Sequence, residues 1–147
     1  MGVRRFEDLI AWQLAEELKE EVFALCETLP AASDRKFCDQ IKESARSAPS
    51  NIAEGFGRYY PRENVRFLRI AAGSIQETRN HLIDGYKRRY LQKSELDRLT
   101  RLALRAFKAT TRFIAYLLHA QAPDPFSLPK FLLSDEPENS EPENSEP

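Results

Sequence analysis

The sequence predicts an all-α protein, an antiparallel up-down four-helix bundle with a disordered acidic C-terminal tail. Apolar residues return every three or four positions through four stretches of the first 121 residues, the spacing that lines one face of a helix. Five glycines and nine prolines in 147 residues are too few for a many-turned β fold, and three of those prolines fall in the last eleven positions. Short intervals separate the four stretches, which sets consecutive helices side by side in opposite directions. A hydrophobic share of 41% is enough for a single core. The expected divisions are a bundle over 1–121, an apolar proline-rich strap over 122–134 and the acidic tail over 135–147.

In the first helix Ala11, Ala15, Leu18, Val22, Leu25 and Leu29 form the apolar face, and Pro30 ends it. Glu16, Glu17, Glu20, Glu21 and Glu27 occupy the opposite face. The second helix begins at Ser33 or Asp34 and aligns Phe37, Ile41, Ala45, Ala48, Ile52 and Phe56. Pro49 has no amide donor and crowds the preceding turn, so a kink, or a restart capped at Ser47 or Ala48, is expected there. Gly55 and Gly57 close this helix.

Pro61 suits the first turn of the third helix, whose Phe67, Leu68, Ala71, Ile75, Thr78 and Leu82 face inward as far as Gly85 or Tyr90. Gly73 and Ser74 make that face shallow at its centre, where the glycine-bearing end of the second helix is expected to approach. Ser94-Glu-Leu-Asp97 has the form of a capping box and opens a fourth helix running to about Gln121. Its inward residues are Leu96, Leu99, Ala103, Ala106, Thr110, Phe113 and Leu117. In the strap, Phe126, Leu128, Phe131, Leu132 and Leu133 are costly to leave in water, so it is expected to dock on its own bundle or on a neighbour. The tail repeats Glu-Pro-Glu-Asn-Ser and has nothing apolar to bury, hence the expectation of disorder.

The net charge of −1 conceals an asymmetry. Six acids and no base lie beyond Ser134, and without them 22 bases stand against 17 acids. The bundle is therefore basic. No apolar run approaches the roughly 20 residues of a membrane span, and the first eight residues lack the apolar stretch of a signal peptide. A cytoplasmic protein without a membrane partner is expected. Cys26 and Cys38 have no CxxC partner or clustered histidines and read as buried free thiols.

No Walker loop, HExxH, GxSxG or dinucleotide fingerprint occurs, so no catalytic residue, metal or cofactor is expected. Glu77 and His81 share a helix face but are two ligands short of a closed zinc site, and read as an ordinary side-chain pair. His119 suits the last carbonyls of the fourth helix.

The functional signal lies on that fourth helix. Arg98, Arg101, Arg105, Lys108 and Arg112 each follow a core position by two residues, which places them in one cationic column opposite the core. The third helix adds Arg62, Arg66 and Arg69 at its start. Guanidinium groups repeating once per turn, about 5.4 Å, can follow the phosphates of a nucleic-acid strand. With no base-reading element, such contacts go mainly to the backbone. Tyr59 and Tyr60, beside Arg58 and Arg62, either stack on unpaired bases or pack at the helix junction. The competing expectation is that these cations are matched by the glutamates of the first helix, within one subunit or across an interface.

Several segments resemble one family closely. They are Phe6-Glu-Asp-Leu-Ile-Ala-Trp-Gln-Leu-Ala15, Gln40-Ile-Lys-Glu-Ser-Ala45, Ser47-Ala-Pro-Ser-Asn-Ile-Ala-Glu-Gly-Phe-Gly-Arg58, and Phe67-Leu-Arg-Ile-Ala-Ala-Gly-Ser74 with Glu77 three residues on. Over about residues 4 to 120 the chain is similar to the four-helix bundle proteins encoded in intervening sequences of 23S ribosomal RNA genes, bacterial proteins related to accessory proteins of diversity-generating retroelements. The resemblance implies a ring-shaped homopentamer with a basic surface for RNA or DNA, no catalysis of its own, and a possible partner enzyme. The signature positions are Trp12, Asn51, Glu54, Gly55, Arg58, Gly73, Ser74 and Glu77. They read first as structural, with Asn51 and Glu54 serving the backbone around Pro49 and Arg58 within reach of Glu54. The function expected is a non-enzymatic, ring-forming nucleic-acid-binding module. The alternative is a protein–protein scaffold whose basic fourth helix pairs with the acidic first helix of a neighbour.

Overall fold

The computed structural model describes residues 5–58, 60–119 and 128–133. Four helices make the bundle: α1 (Ile10–Cys26), α2 (Arg35–Phe56), α3 (Pro61–Lys87) and α4 (Lys93–His119). Single 3-10 turns precede α1 at Phe6–Asp8, link α1 to α2 at Ala31–Ser33 and come after α4 at Lys130–Leu132. No strand occurs among the described residues. Each helix packs on its sequence neighbours, and α1 packs on α4 to close the ring, giving the expected antiparallel four-helix bundle. The tail, the first part of the strap, Tyr59 and the expected end of the fourth helix at Gln121 lie outside the described residues.

The expected apolar faces are buried, with Leu18, Val22, Ile41, Ile52, Leu68, Ile75, Leu82, Leu99 and Phe113 almost wholly enclosed. Leu9 and Leu14 join them. Thr78 and Thr110 are also enclosed, and each hydroxyl bonds the carbonyl one turn back, Ser74 and Ala106, both at 2.8 Å. Asp34 caps α2, its Oδ1 accepting the Phe37 amide at 3.1 Å. Pro61 occupies the first turn of α3, where its missing donor is of no consequence.

Five local expectations are corrected. α1 stops at Cys26, where Thr28 Oγ1 and the amides of Glu27 and Thr28 take the last carbonyls. Pro30 then turns the chain before Leu29 can return to the core face, leaving Leu29 74% exposed. α2 neither breaks nor restarts at Pro49. The proline ring is buried, and hydroxyl contacts to α3 at Ser44 and Ser47 pin the helix just ahead of it.

Gly73 does not admit a neighbouring helix: it is exposed, and a Cβ added there meets nothing within 4 Å. The close approach is at Gly55, where a Cβ would lie 2.7 Å from Asn64 Oδ1 and 3.0 Å from Phe67 Cβ, so the end of α2 meets the start of α3. α4 begins at Lys93, ahead of Ser94, with the Leu96 amide bonding the Gln92 carbonyl at 3.0 Å, and Asp97 takes the Lys93 ammonium at 2.8 Å. Tyr60 is not packed into the helix junction but is 64% exposed.

Candidate functional site

Because the column residues sit two positions after the buried ones, the helix that buries Leu96, Leu99, Ala103, Ala106 and Thr110 must turn all five cations outward. All five are exposed or half-exposed on the outer face. Arg98 differs from the rest. Glu21 of α1 takes its guanidinium through two parallel contacts, Nη1 to Oε1 and Nη2 to Oε2, each 3.0 Å. This bond holds the Arg98 pKa above its ordinary value, with Glu95 and Glu17 adding to the effect.

Arg101 and Lys108 have no ion-pair partner among the described residues. Arg62, Arg66 and Arg69 of α3 are exposed. Antiparallel pairing puts this start of α3 level with the C-terminal half of α4, where Lys108 and Arg112 lie, whereas Arg98 and Arg101 lie in its N-terminal half.

Within the chain, Lys19 binds Glu16 at 2.7 Å and Glu20 at 3.5 Å, and Glu21 is taken by Arg98. The hydrogen bond from Lys19 to Glu16 raises the Lys19 pKa.

The signature residues form a second constellation, along the α2–α3 seam. Ser47 Oγ accepts hydrogen bonds from Ser74 Oγ at 2.8 Å and Asn51 Nδ2 at 3.0 Å, while Asn51 Nδ2 also donates to the Ser47 carbonyl at 2.8 Å. One turn away Thr78 Oγ1 lies 2.9 Å from Ser44 Oγ. Glu54 binds Arg58, whose guanidinium also covers the Phe67 ring at 5.0 Å. Trp12 is half-buried and meets Phe6 edge-on at 5.3 Å.

Glu77 and His81 stand 3.5 Å apart, at ion-pair but not hydrogen-bonding distance, in a shallow groove of about 300 Å³ lined also by Gln40, Glu43, Ser44, Ser47 and Ser74. No grouping of three metal-ligating side chains occurs among the described residues. The Ser47–Ser74 and Ser44–Thr78 contacts join α2 to α3, whereas the Glu54–Arg58 and Glu77–His81 pairs are local to one helix or its end.

A model of the family described as 23S rRNA-intervening sequence protein matches residues 7–112, more than two thirds of the chain. The chain belongs to this family. The match spans α1, α2, α3 and most of α4, including Arg98 through Arg112, and stops before the strap. No curated protein matches the chain. No helix among the described residues is long and apolar enough to cross a membrane.

Sequence reasoning misses three participants. Glu21 is one of five equivalent glutamates, and nothing local singles out the one that faces Arg98 across 77 positions. The hydroxyl ladder carries a readable signal, since Ser44, Ser47 and Asn51 on α2 and Ser74 and Thr78 on α3 repeat at helical spacing. Cys26 and Cys38 look unrelated in the sequence, yet their thiols meet. Burial pushes the Cys26 thiol up to about 12, aided by the Cys38 thiol beside it, and Cys38 donates to the Ala31 carbonyl at 3.2 Å.

Proposed function

We propose that this protein is a non-enzymatic module that binds nucleic-acid backbones along the outer face of α4, extended by Arg62, Arg66 and Arg69 of α3. The observation that carries the reading is the outward alignment of Arg101, Arg105, Lys108 and Arg112 in one column, beyond the Arg98 that Glu21 holds. Cations at this repeat displace counterions from a polyphosphate without reading its bases. RNA is the first candidate on the family's description alone. Assembly into a homopentameric ring and service to a partner enzyme stem from the family resemblance and belong to the same proposal.

The test is anisotropy of a labelled single-stranded RNA at about 50 mM salt and upward. Each lost contact flattens the log–log salt slope by about 0.7, so Arg101→Ala with Arg105→Ala flattens it by about 1.4. Absence of binding at about 50 mM, or a slope indifferent to the pair, overturns the reading.

The scaffold reading has one observation in its favour, the exposure of Leu104 and Leu118 on α4, 42% and 54%. Under it, charge reversal at Arg105 dissociates the oligomer, and nucleic-acid affinity is negligible before and after.

A further inference from the structure

A cavity of about 280 Å³ opens where the end of α1 and its exit meet the α3–α4 link and the start of α4. The buried Leu25, Leu91 and Leu99 form its apolar wall. The polar wall carries four charges, those of Glu21, Glu95, Arg89 and Arg98. Two of them answer each other, since Glu21 takes both outer nitrogens of Arg98 at 3.0 Å. Arg89 and the half-buried Glu95 have no ion pair among the described residues. The cavity thus presents one unmatched cation, one unmatched carboxylate and an apolar surface.

Arg89 also stands where the fold favours glycine. Its backbone is left-handed, at φ 65°, in the turn that closes α3 by a bond from the Tyr90 amide to the Gly85 carbonyl. Its side chain gives the turn nothing in return, because the carboxylates nearby, Asp84 and Asp34, both go to Arg88. Backbone strain of this kind persists where the side chain serves something beyond the fold.

The chemistry of the walls selects what can enter. A carboxylate suits the five donors of Arg89, an ammonium suits Glu95, and the leucines take a branched or aromatic hydrocarbon. A simple anion is opposed by Glu21 and Glu95, and a simple cation by Arg89 and Arg98. A molecule with both charges escapes both objections. The volume lies just under the roughly 300–1,000 Å³ of sites for drug-sized ligands, so the occupant is a small metabolite.

We propose that this cavity binds a free α-amino acid with an apolar side chain, the carboxylate on Arg89, the ammonium on Glu95 and the side chain against Leu25, Leu91 and Leu99. Arg89 and Glu95 lie on either side of the start of α4, and their long side chains can close on two charges carried by one carbon. The Arg98–Glu21 pair, already matched, serves as wall. Nucleic acid has no part in this contact, which is independent of the function proposed above.

An NMR titration of the full chain with L-leucine, following the amides of Arg89 to Leu99, tests the assignment. Leucine is expected to shift them. Three analogues, each lacking one feature, are expected to bind about ten- to a hundred-fold more weakly: isocaproate without the ammonium, isoamylamine without the carboxylate, and glycine without the side chain. Arg89→Gly is the deciding variant, because it removes the guanidinium while relieving the backbone. It is expected to melt higher than the parent and bind leucine about ten- to a hundred-fold more weakly, a loss that unfolding cannot explain. Glu95→Gln is expected to weaken leucine by a similar factor and isocaproate not at all. Absence of shifts up to about 10 mM leucine overturns the proposal. So does equal binding of isocaproate or isoamylamine, or an Arg89→Gly variant that binds leucine as the parent does.

Discussion

Arg89 is the one non-glycine residue among those described with a left-handed backbone, at φ 65°. It comes just after the last turn of α3, where the Tyr90 amide reaches back to the Gly85 carbonyl at 2.8 Å and its own amide bonds the Tyr86 carbonyl at 2.9 Å. Those two bonds are a Schellman closure, in which glycine is the usual occupant of the left-handed site. An L-residue there sets Cβ against the next carbonyl at a cost of about 1–2 kcal/mol, and glycine's extra freedom in the unfolded chain offsets up to about 1 kcal/mol of the relief. Arg89 is exposed and makes no ion pair among the described residues, so nothing on its side chain opposes the change. Arg89→Gly is therefore expected to stabilise the bundle by about 0.5–1 kcal/mol and raise the melting midpoint by about 2–4 °C. Arg89→Ala, which keeps Cβ and removes only the charge, is expected to stay within about 0.5 kcal/mol of the parent. Thermal and urea melts of the three proteins decide the matter. A glycine variant that melts no higher than the alanine variant refutes the assignment of strain to this backbone.

The cap of α2 predicts a pH dependence. The Tyr90 hydroxyl donates to Asp34 Oδ2 at 2.6 Å, which lowers the Asp34 pKa, with the Phe37 amide assisting, and raises that of Tyr90. A lowered carboxylate stabilises the fold above its ordinary value of about 3.9 and is lost as pH falls through the folded value; a raised phenol stabilises it below about 10 and is lost as pH rises. Tyr90→Phe is thus expected to lower the urea midpoint between those limits and to converge on the parent at both extremes. A constant offset at every pH contradicts it. Gly73→Ala, adding a methyl to open space within a helix, is expected to stabilise the isolated bundle by about 0.8–1.0 kcal/mol in a urea melt. A fall in stability shows that the open face is covered. Converting Arg98 and Glu21 together to glutamine is expected to leave the RNA salt slope unchanged, whereas Arg101→Gln with Lys108→Gln flattens it by about 1.4. Equal flattening by both pairs refutes the matched state of Arg98.

The features legible in the sequence are those set by helical period. The buried faces of α2, α3 and α4 and the outward column come from spacing alone, because a residue two positions past a buried one faces away. Boundaries depend on contacts that spacing does not encode. Gly85 and Tyr90 bracket the end of α3, but the chain turns at Arg89, an arginine in a glycine conformation held by Tyr90 and its bond to Asp34, 56 positions away. Pro49 reads as a break because a proline inside a lone helix costs about 3 kcal/mol, yet packing and the Ser44 and Ser47 hydroxyl contacts to α3 carry α2 through it. Ser94 reads as a cap, yet the first turn already closes one residue earlier, where the Leu96 amide bonds the Gln92 carbonyl. The Glu54–Arg58 pair is legible because it is local, and the Arg98–Glu21 pair is not because it is tertiary.

Topology also sorts the charge along the bundle axis. At the end holding the α3–α4 link, three basic groups are matched, Arg98 with Glu21, Lys93 with Asp97, and Arg88 with both Asp84 and Asp34, while Arg89 and Arg101 have no ion pair among the described residues. Toward the other end, the start of α3, with Arg62, Arg66 and Arg69, lies level with the last half of α4, which carries Lys108 and Arg112. The strap returns to this same end, through Phe131 on Tyr116.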